Sequence, residues 1–202
     1  MGGRGASSAS HQRALAPSYH AWQSEAISEA DKQSTIAGWK GSSSNVRHAI
    51  NGRASSNMDV KTAEKFDDWL NSGSYNKTLY RGKRVTKEQL EALKNSVGAL
   101  VNQDGPASFS KSLSVAQGFA SGGYNYQSGA TQRVIFKLEG GTKAGQDIAK
   151  VHGFQHEKEV AVGSASHLLV KSVETKVIGG KHYTIVSGTE VKKTYVSPHK
   201  QK

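Results

Sequence analysis

The spacing of apolar residues changes partway along the chain, and that change limits the fold more than any other feature. Up to residue 70 they recur at helical intervals. Trp22, Ala26, Ile27 and Ala30 do so ahead of Gly38 and Gly41, which predicts a helix over 21–38. Val46, Ala49 and Ile50 suit a short second helix. Val60, Ala63, Phe66, Trp69 and Leu70 line one face of a third, with Asp59 placed to cap its start and Asn71-Ser72-Gly73 to end it. From residue 78 onward, short β-prone runs closed by glycine take over. Strands are predicted over 78–82, 133–138, 157–162, 168–177 and 183–186. Two helices interrupt them. One follows a capping box at Thr86 and Gln89 and carries Leu90, Leu93 and Val97; the other has Leu113, Ala116, Gln117 and Ala120 on one side. Helices first and then mostly strands, with glycine-rich connections that suit antiparallel pairing, define an α+β domain.

At 202 residues the chain reads as one domain over 17–188, with a helical layer at 17–75 and a core at 76–188. A Gly/Ser/Ala-rich arm, 1–16, precedes it and a basic tail, 189–202, follows. The absence of cysteine excludes disulfides, thiolate metal sites and a cysteine nucleophile. No run approaches the roughly 18 apolar residues of a membrane span. The start lacks the apolar centre of a signal peptide, and Ala6 stands where a myristoylation signal wants Ser or Thr. A soluble protein with no membrane partner is expected. The formal charge of +11 ordinarily points to an acidic partner. Here the tail holds +3, the arm +2, and the other +6 is spread over 17–188 without a dense block. Such a diffuse excess suits solubility, or steering of an anionic dinucleotide, better than a nucleic-acid reading head. Nucleic acid is therefore expected to be at most a secondary partner.

Glu157 and Glu159 form the most suggestive local pair. On a strand they would point the same way, and two like charges on one face of a cleft are costly unless their roles separate. Alone, the pair also fits two solvated glutamates, Arg81 a surface strand residue, and Ser108 and Ser110 turn or capping residues. His152 and His156 are four apart, but Gly153 disfavours a helix there and no third ligand has suitable spacing, so no metal is expected. Neither a G-x-G-x-x-G nor a G-K-[ST] loop is present, so any dinucleotide would lie outside a Rossmann site.

In combination these pieces resemble the R-S-E class of mono-ADP-ribosyltransferases: Leu79-Tyr80-Arg81-Gly82, then Ser108-Phe109-Ser110 with Ala116 and Phe119-Ala120, then Glu157-Lys158-Glu159-Val160. The resemblance spans about residues 76–178. It is nearest to the Mod and Alt enzymes of T-even phages and to bacterial ADP-ribosylating toxin domains. Phe109 departs from the threonine common between the serines. The resemblance implies two mainly antiparallel sheets forming an NAD cleft, with NAD as co-substrate and no metal. It implies transfer of ADP-ribose to an arginine of an acceptor protein, such as host transcription or translation machinery. Glu159 would stabilise the oxocarbenium-like ribose, and Glu157 would orient or deprotonate the acceptor guanidinium. Arg81 and Gly82 would meet the NAD phosphates, Ser108 would hydrogen-bond Glu159, and Phe109 and Ser110 would line the cofactor site. Phe119 would stack on nicotinamide, although a core position suits it equally. Tyr124 and Tyr126 would lie in the loop over the cofactor, and Phe154 would contact the acceptor. The setting would be the host cytoplasm for a phage enzyme, or secretion or injection for a toxin. Two alternatives stay open: an NAD glycohydrolase, and a non-enzymatic basic phage structural or nucleic-acid-binding protein.

Overall fold

A computed structural model describes residues 27–41, 43–51, 59–103, 105–122, 128–150 and 155–193. The arm, the first part of the predicted 21–38 helix, Tyr124, Tyr126, His152, Phe154 and the end of the tail lie outside the described residues. The N-terminal layer is α1 (Glu29–Gly41), α2 (Ser43–Ile50) and α3 (Val60–Ser72). Asp59 caps α3 by accepting from Thr62 N at 2.9 Å. The α1 helix continues past Gly38, its predicted end. Gly38 is exposed and costs only about 1 kcal/mol of helix propensity, whereas Trp39 beyond it is 1% exposed. Burial of the indole outweighs the glycine. Trp39 joins Ile36, Val46, Ile50, Phe66 and Leu70 in one apolar cluster, which also takes in Ile148 and Ala161 from the sheet side. Ring centroids there lie 5.8 Å apart for Trp39 and Phe66 and 5.4 Å for Phe66 and Trp69.

The remaining elements are β1 (Leu79–Val85), α4 (Lys87–Lys94), β2 (Leu100–Val101), β3 (Ala107–Ser110), α5 (Leu113–Ser121), β4 (Gln132–Glu139), β5 (Gly145–Asp147), β6 (Glu159–Val162), β7 (Ser166–Ile178) and β8 (Lys181–Lys192). Thr86 and Gln89 make both bonds of the capping box that starts α4. Gly179 and Gly180, with φ of 56° and 72°, supply the left-handed turn that closes β7 onto β8 as an antiparallel hairpin. Where two sheets were expected, hydrogen bonding runs through one eight-stranded ladder in the order β2-β7-β8-β4-β1-β3-β6-β5. Every pairing is antiparallel except β4 with β8. The ladder narrows to a single pair, Tyr80 with Ser110, between β1 and β3. Residues from both sides of this seam, Leu79, Phe136 and Val186 on one and Phe109, Val160 and Val162 on the other, share one buried cluster.

The β8 strand extends to Lys192, four residues past the predicted domain boundary at 188. Glu190 accepts from Thr142 Oγ1 and from Lys143 N, and Lys192 Nζ donates to the carbonyls of Asn71 and Lys143. These bonds hold the charged strand end against the domain. No helix among the described residues is long and apolar enough to cross a membrane.

Candidate active site

Glu157 and Glu159 do not share a strand. Glu157 ends a short 3-10 turn, Gln155–Glu157, and Glu159 begins β6. Lys158 between them has φ of 49°, a left-handed conformation that a lysine adopts only under tertiary constraint. Strand alternation is broken at that residue, so the spacing rule for the pair fails. The turn is anchored from β3 and just beyond it. Ser110 Oγ donates to Glu157 O at 2.7 Å, and Lys111 N donates to Lys158 O at 3.0 Å.

The environments of the two carboxylates diverge accordingly. Glu159 is 4% exposed, and its Oε1 accepts from Trp39 Nε1 at 2.8 Å. Glu157 is half-buried. Burial, and then the like charge of Glu159, push its carboxyl above the usual glutamate range, while His156 and Lys40 pull the other way. Among the described residues no cluster of three or more His, Asp or Glu suits a metal ion.

Ser108 and Ser110 lie on strand β3, not at the start of the following helix. Ser110 is paired with Glu159 and Ser108 with Ala161, so both serines share the sheet face of Glu159. The predicted bond from Ser108 to Glu159 is not made. Trp39 holds the carboxylate instead, and Ser108 is its diagonal neighbour. Phe109 points the other way, 5% exposed within the sheet core, so its side chain supports the strand and does not line a cofactor surface.

Arg81 lies half-buried on β1, one residue past the Tyr80–Ser110 seam. Gly82 serves α5: a Cβ there would sit 1.7 Å from Ala116 O and 2.8 Å from Ala120 N. Glycine lets the helix lie directly on the strand. Arg84, on the same strand, donates through Nη2 to Ser121 O at 2.5 Å at the end of α5. Phe119 is half-buried and stands outside the buried clusters, for which α5 supplies Ala116 and Ala120, so the core position is not the one it takes.

The structure thus brings Ser108, Ser110 and Glu159 to one face and sets Glu157 beside them; Arg81 lies on the adjoining strand, paired with Phe136, while its neighbour Tyr80 is the residue paired with Ser110. Trp39 and Lys40 are the residues that sequence reasoning missed. The signal was present, because Ile36 and Trp39 continue the helical spacing across Gly38.

No protein-family model matches the chain, and no curated protein does. Solved structures do. Vis, an ADP-ribosyltransferase toxin from Vibrio splendidus, superposes with a TM-score of 0.60 at 22% identity over 85% of this chain and 77% of its own. Plx2a, an ADP-ribosyltransferase toxin from Paenibacillus larvae, gives 0.58 at 14% identity over 82% and 88%. Exoenzyme S from Pseudomonas aeruginosa, in a complex with human 14-3-3 protein beta and carba-NAD, gives 0.57 at 15% identity over 82% and 77%. Another Vis structure holds agmatine. The chain has the ADP-ribosyltransferase fold. Identities this low speak to the fold alone.

Proposed function

We propose that this protein transfers ADP-ribose from NAD to an arginine side chain of a target protein and releases nicotinamide. The observation that carries the reading is the divergent pair: a buried, hydrogen-bonded Glu159 and a half-buried Glu157 whose proton affinity is raised. Cleavage breaks the bond between nicotinamide N1 and ribose C1′, and the bonding pair leaves on nicotinamide. Positive charge then builds on the ribose, where Glu159 stabilises it through the 2′-hydroxyl, most strongly in the transition state. Glu157 takes a proton from the acceptor guanidinium, whose nitrogen bonds to C1′. A carboxylate with raised proton affinity suits that task better than an ordinary one.

Arg81 at the seam fits the anionic pyrophosphate, with a planar fork of donors. Ser110 holds the turn that carries Glu157, Ser108 stands beside the ribose carboxylate, and half-buried Phe119 would stack on nicotinamide. Phe154 remains a candidate for acceptor contact. Agmatine, held by Vis, carries the same guanidinium as arginine, and carba-NAD is an analogue of NAD; both support the reading by likeness. The arginine acceptor rests on that likeness and on Glu157.

The test is transfer of label from adenylate-tagged NAD to lysate proteins by wild type, Glu159→Ala and Glu157→Ala. Wild type should give bands that neutral hydroxylamine releases. Glu159→Ala should lose about 100- to 1,000-fold in rate. Glu157→Ala should lose bands while still producing soluble ADP-ribose. Soluble ADP-ribose without bands from wild type would make the protein a glycohydrolase. If wild type neither binds nor consumes NAD, the non-enzymatic reading replaces this one.

A further inference from the structure

We infer that Trp39 is a positioning residue for Glu159, which makes helix α1 part of the reaction centre and not merely a covering layer. The inference rests on the reading of Glu159 given above. The indole and the carboxylate are 120 residues apart in sequence, both are buried, and the Nε1–Oε1 distance is 2.8 Å. Glu159 Oε2 makes no hydrogen bond among the described residues. One carboxylate oxygen is therefore fixed by the helix. An indole N–H is a donor only, on a stiff side chain packed against Phe66. It sets the carboxylate's rotamer without offering it a proton.

The adjacent Lys40 acts on Glu157, whose proton affinity its charge lowers, so neighbouring residues of one helix address both glutamates. The reach depends on α1 continuing past Gly38. Ser108, which the family resemblance implied would make this bond, is left beside the carboxylate without making it. In a buried setting a bond to a charged group is the strong kind, and its loss frees the carboxylate to leave the geometry that the transition state requires.

The experiment pairs kinetics with a readout that needs no activity. Trp39→Phe keeps an aromatic ring and removes the donor, and Trp69→Phe makes the same change in the same cluster without a carboxylate partner. For NAD consumption, Trp39→Phe should lower kcat about 10- to 100-fold with KM for NAD changed by less than about twofold. Trp69→Phe should leave both near wild type. In ¹⁵N-labelled protein without NAD, the Trp39 indole N–H resonance is assigned by elimination with Trp22→Phe and Trp69→Phe. It should move upfield in Glu159→Ala while that of Trp69 stays in place. A wild-type kcat in folded Trp39→Phe, or an unmoved Trp39 resonance in Glu159→Ala, overturns the inference. If wild type consumes no NAD, the proposed function has failed, and the resonance still decides whether the contact exists.

Discussion

Asp67, on α3, is a buried carboxylate whose titration should leave a measurable mark on stability. Its Oδ1 accepts from Ser164 N at 2.8 Å, and its Oδ2 accepts from Ser164 Oγ and from Asn71 Nδ2. Asn71 Oδ1 in turn accepts from Ala165 N at 3.1 Å. The turn that leaves β6, the strand of Glu159, is thereby clamped to the helical layer. Burial pushes the Asp67 carboxyl from 3.8 up to about 6, with the negative charge of Asp68 adding to it; the bonds from Ser164 and Asn71 oppose the rise without cancelling it. Because the folded chain binds this proton more tightly than the unfolded chain, the associated stability is complete below about pH 4. It is lost as pH rises through about 6. A shift of about two units corresponds to about 3 kcal/mol. Asp67→Asn keeps a carbonyl acceptor for Ser164 N and removes the titration. Urea unfolding of both proteins from pH 4 to pH 8 should show the stability of wild type, relative to Asp67→Asn, falling by about 2 kcal/mol between pH 4 and 7, most of the full effect. Parallel profiles would refute the reasoning. A relative stability that rises with pH would mean that the hydrogen bonds outweigh burial.

Substitutions at three further positions test the framework. Gly82→Ala drives a methyl against the Ala116 carbonyl and should cost about 2 kcal/mol or more even after the entropic gain in the unfolded chain, seen as a melting temperature lower by about 4–8 °C. An unchanged melting temperature would mean that α5 does not sit directly on β1. Lys158→Val places a β-branched residue at φ of 49° and should destabilise by about 1–2 kcal/mol in urea unfolding, whereas Lys158→Gly should be nearly neutral. Thr86→Ala should cost about 1 kcal/mol through loss of the α4 cap, in the same assay and without effect on NAD consumption.

Local chemistry made much of the framework legible. Asp59, Thr86 with Gln89, and the glycine pair at 179–180 act through neighbours a few residues away, so a window of sequence contains the whole interaction. The strand over 132–139 and the hairpin of β7 with β8 were readable for the same reason. Three features were not. The extension of α1 past Gly38 depends on a pocket for Trp39 built by α2 and α3. The merging of two expected sheets into one ladder rests on a single pair, Tyr80 with Ser110, thirty positions apart. The separation of Glu157 from Glu159 depends on a left-handed lysine held by bonds from Ser110 and Lys111.

The candidate residues themselves were legible as chemical types in a characteristic order: an arginine, a serine pair, and then two glutamates; the arginine does not close its strand, as the sequence suggested, because β1 continues through Gly82 to Val85. Their number and nature belong to the chain alone, because composition and order do not depend on folding. Tertiary structure decided which side chain serves which. Ser110 took the backbone of the glutamate turn, Trp39 took the carboxylate expected to bond Ser108, Phe109 went to the core, and Gly82 went to helix α5. Each of these partnerships joins groups 34 to 120 residues apart. A hydrogen bond or a close approach over that separation is fixed by the geometry of the folded sheet and its covering helices, which no local run of residues encodes.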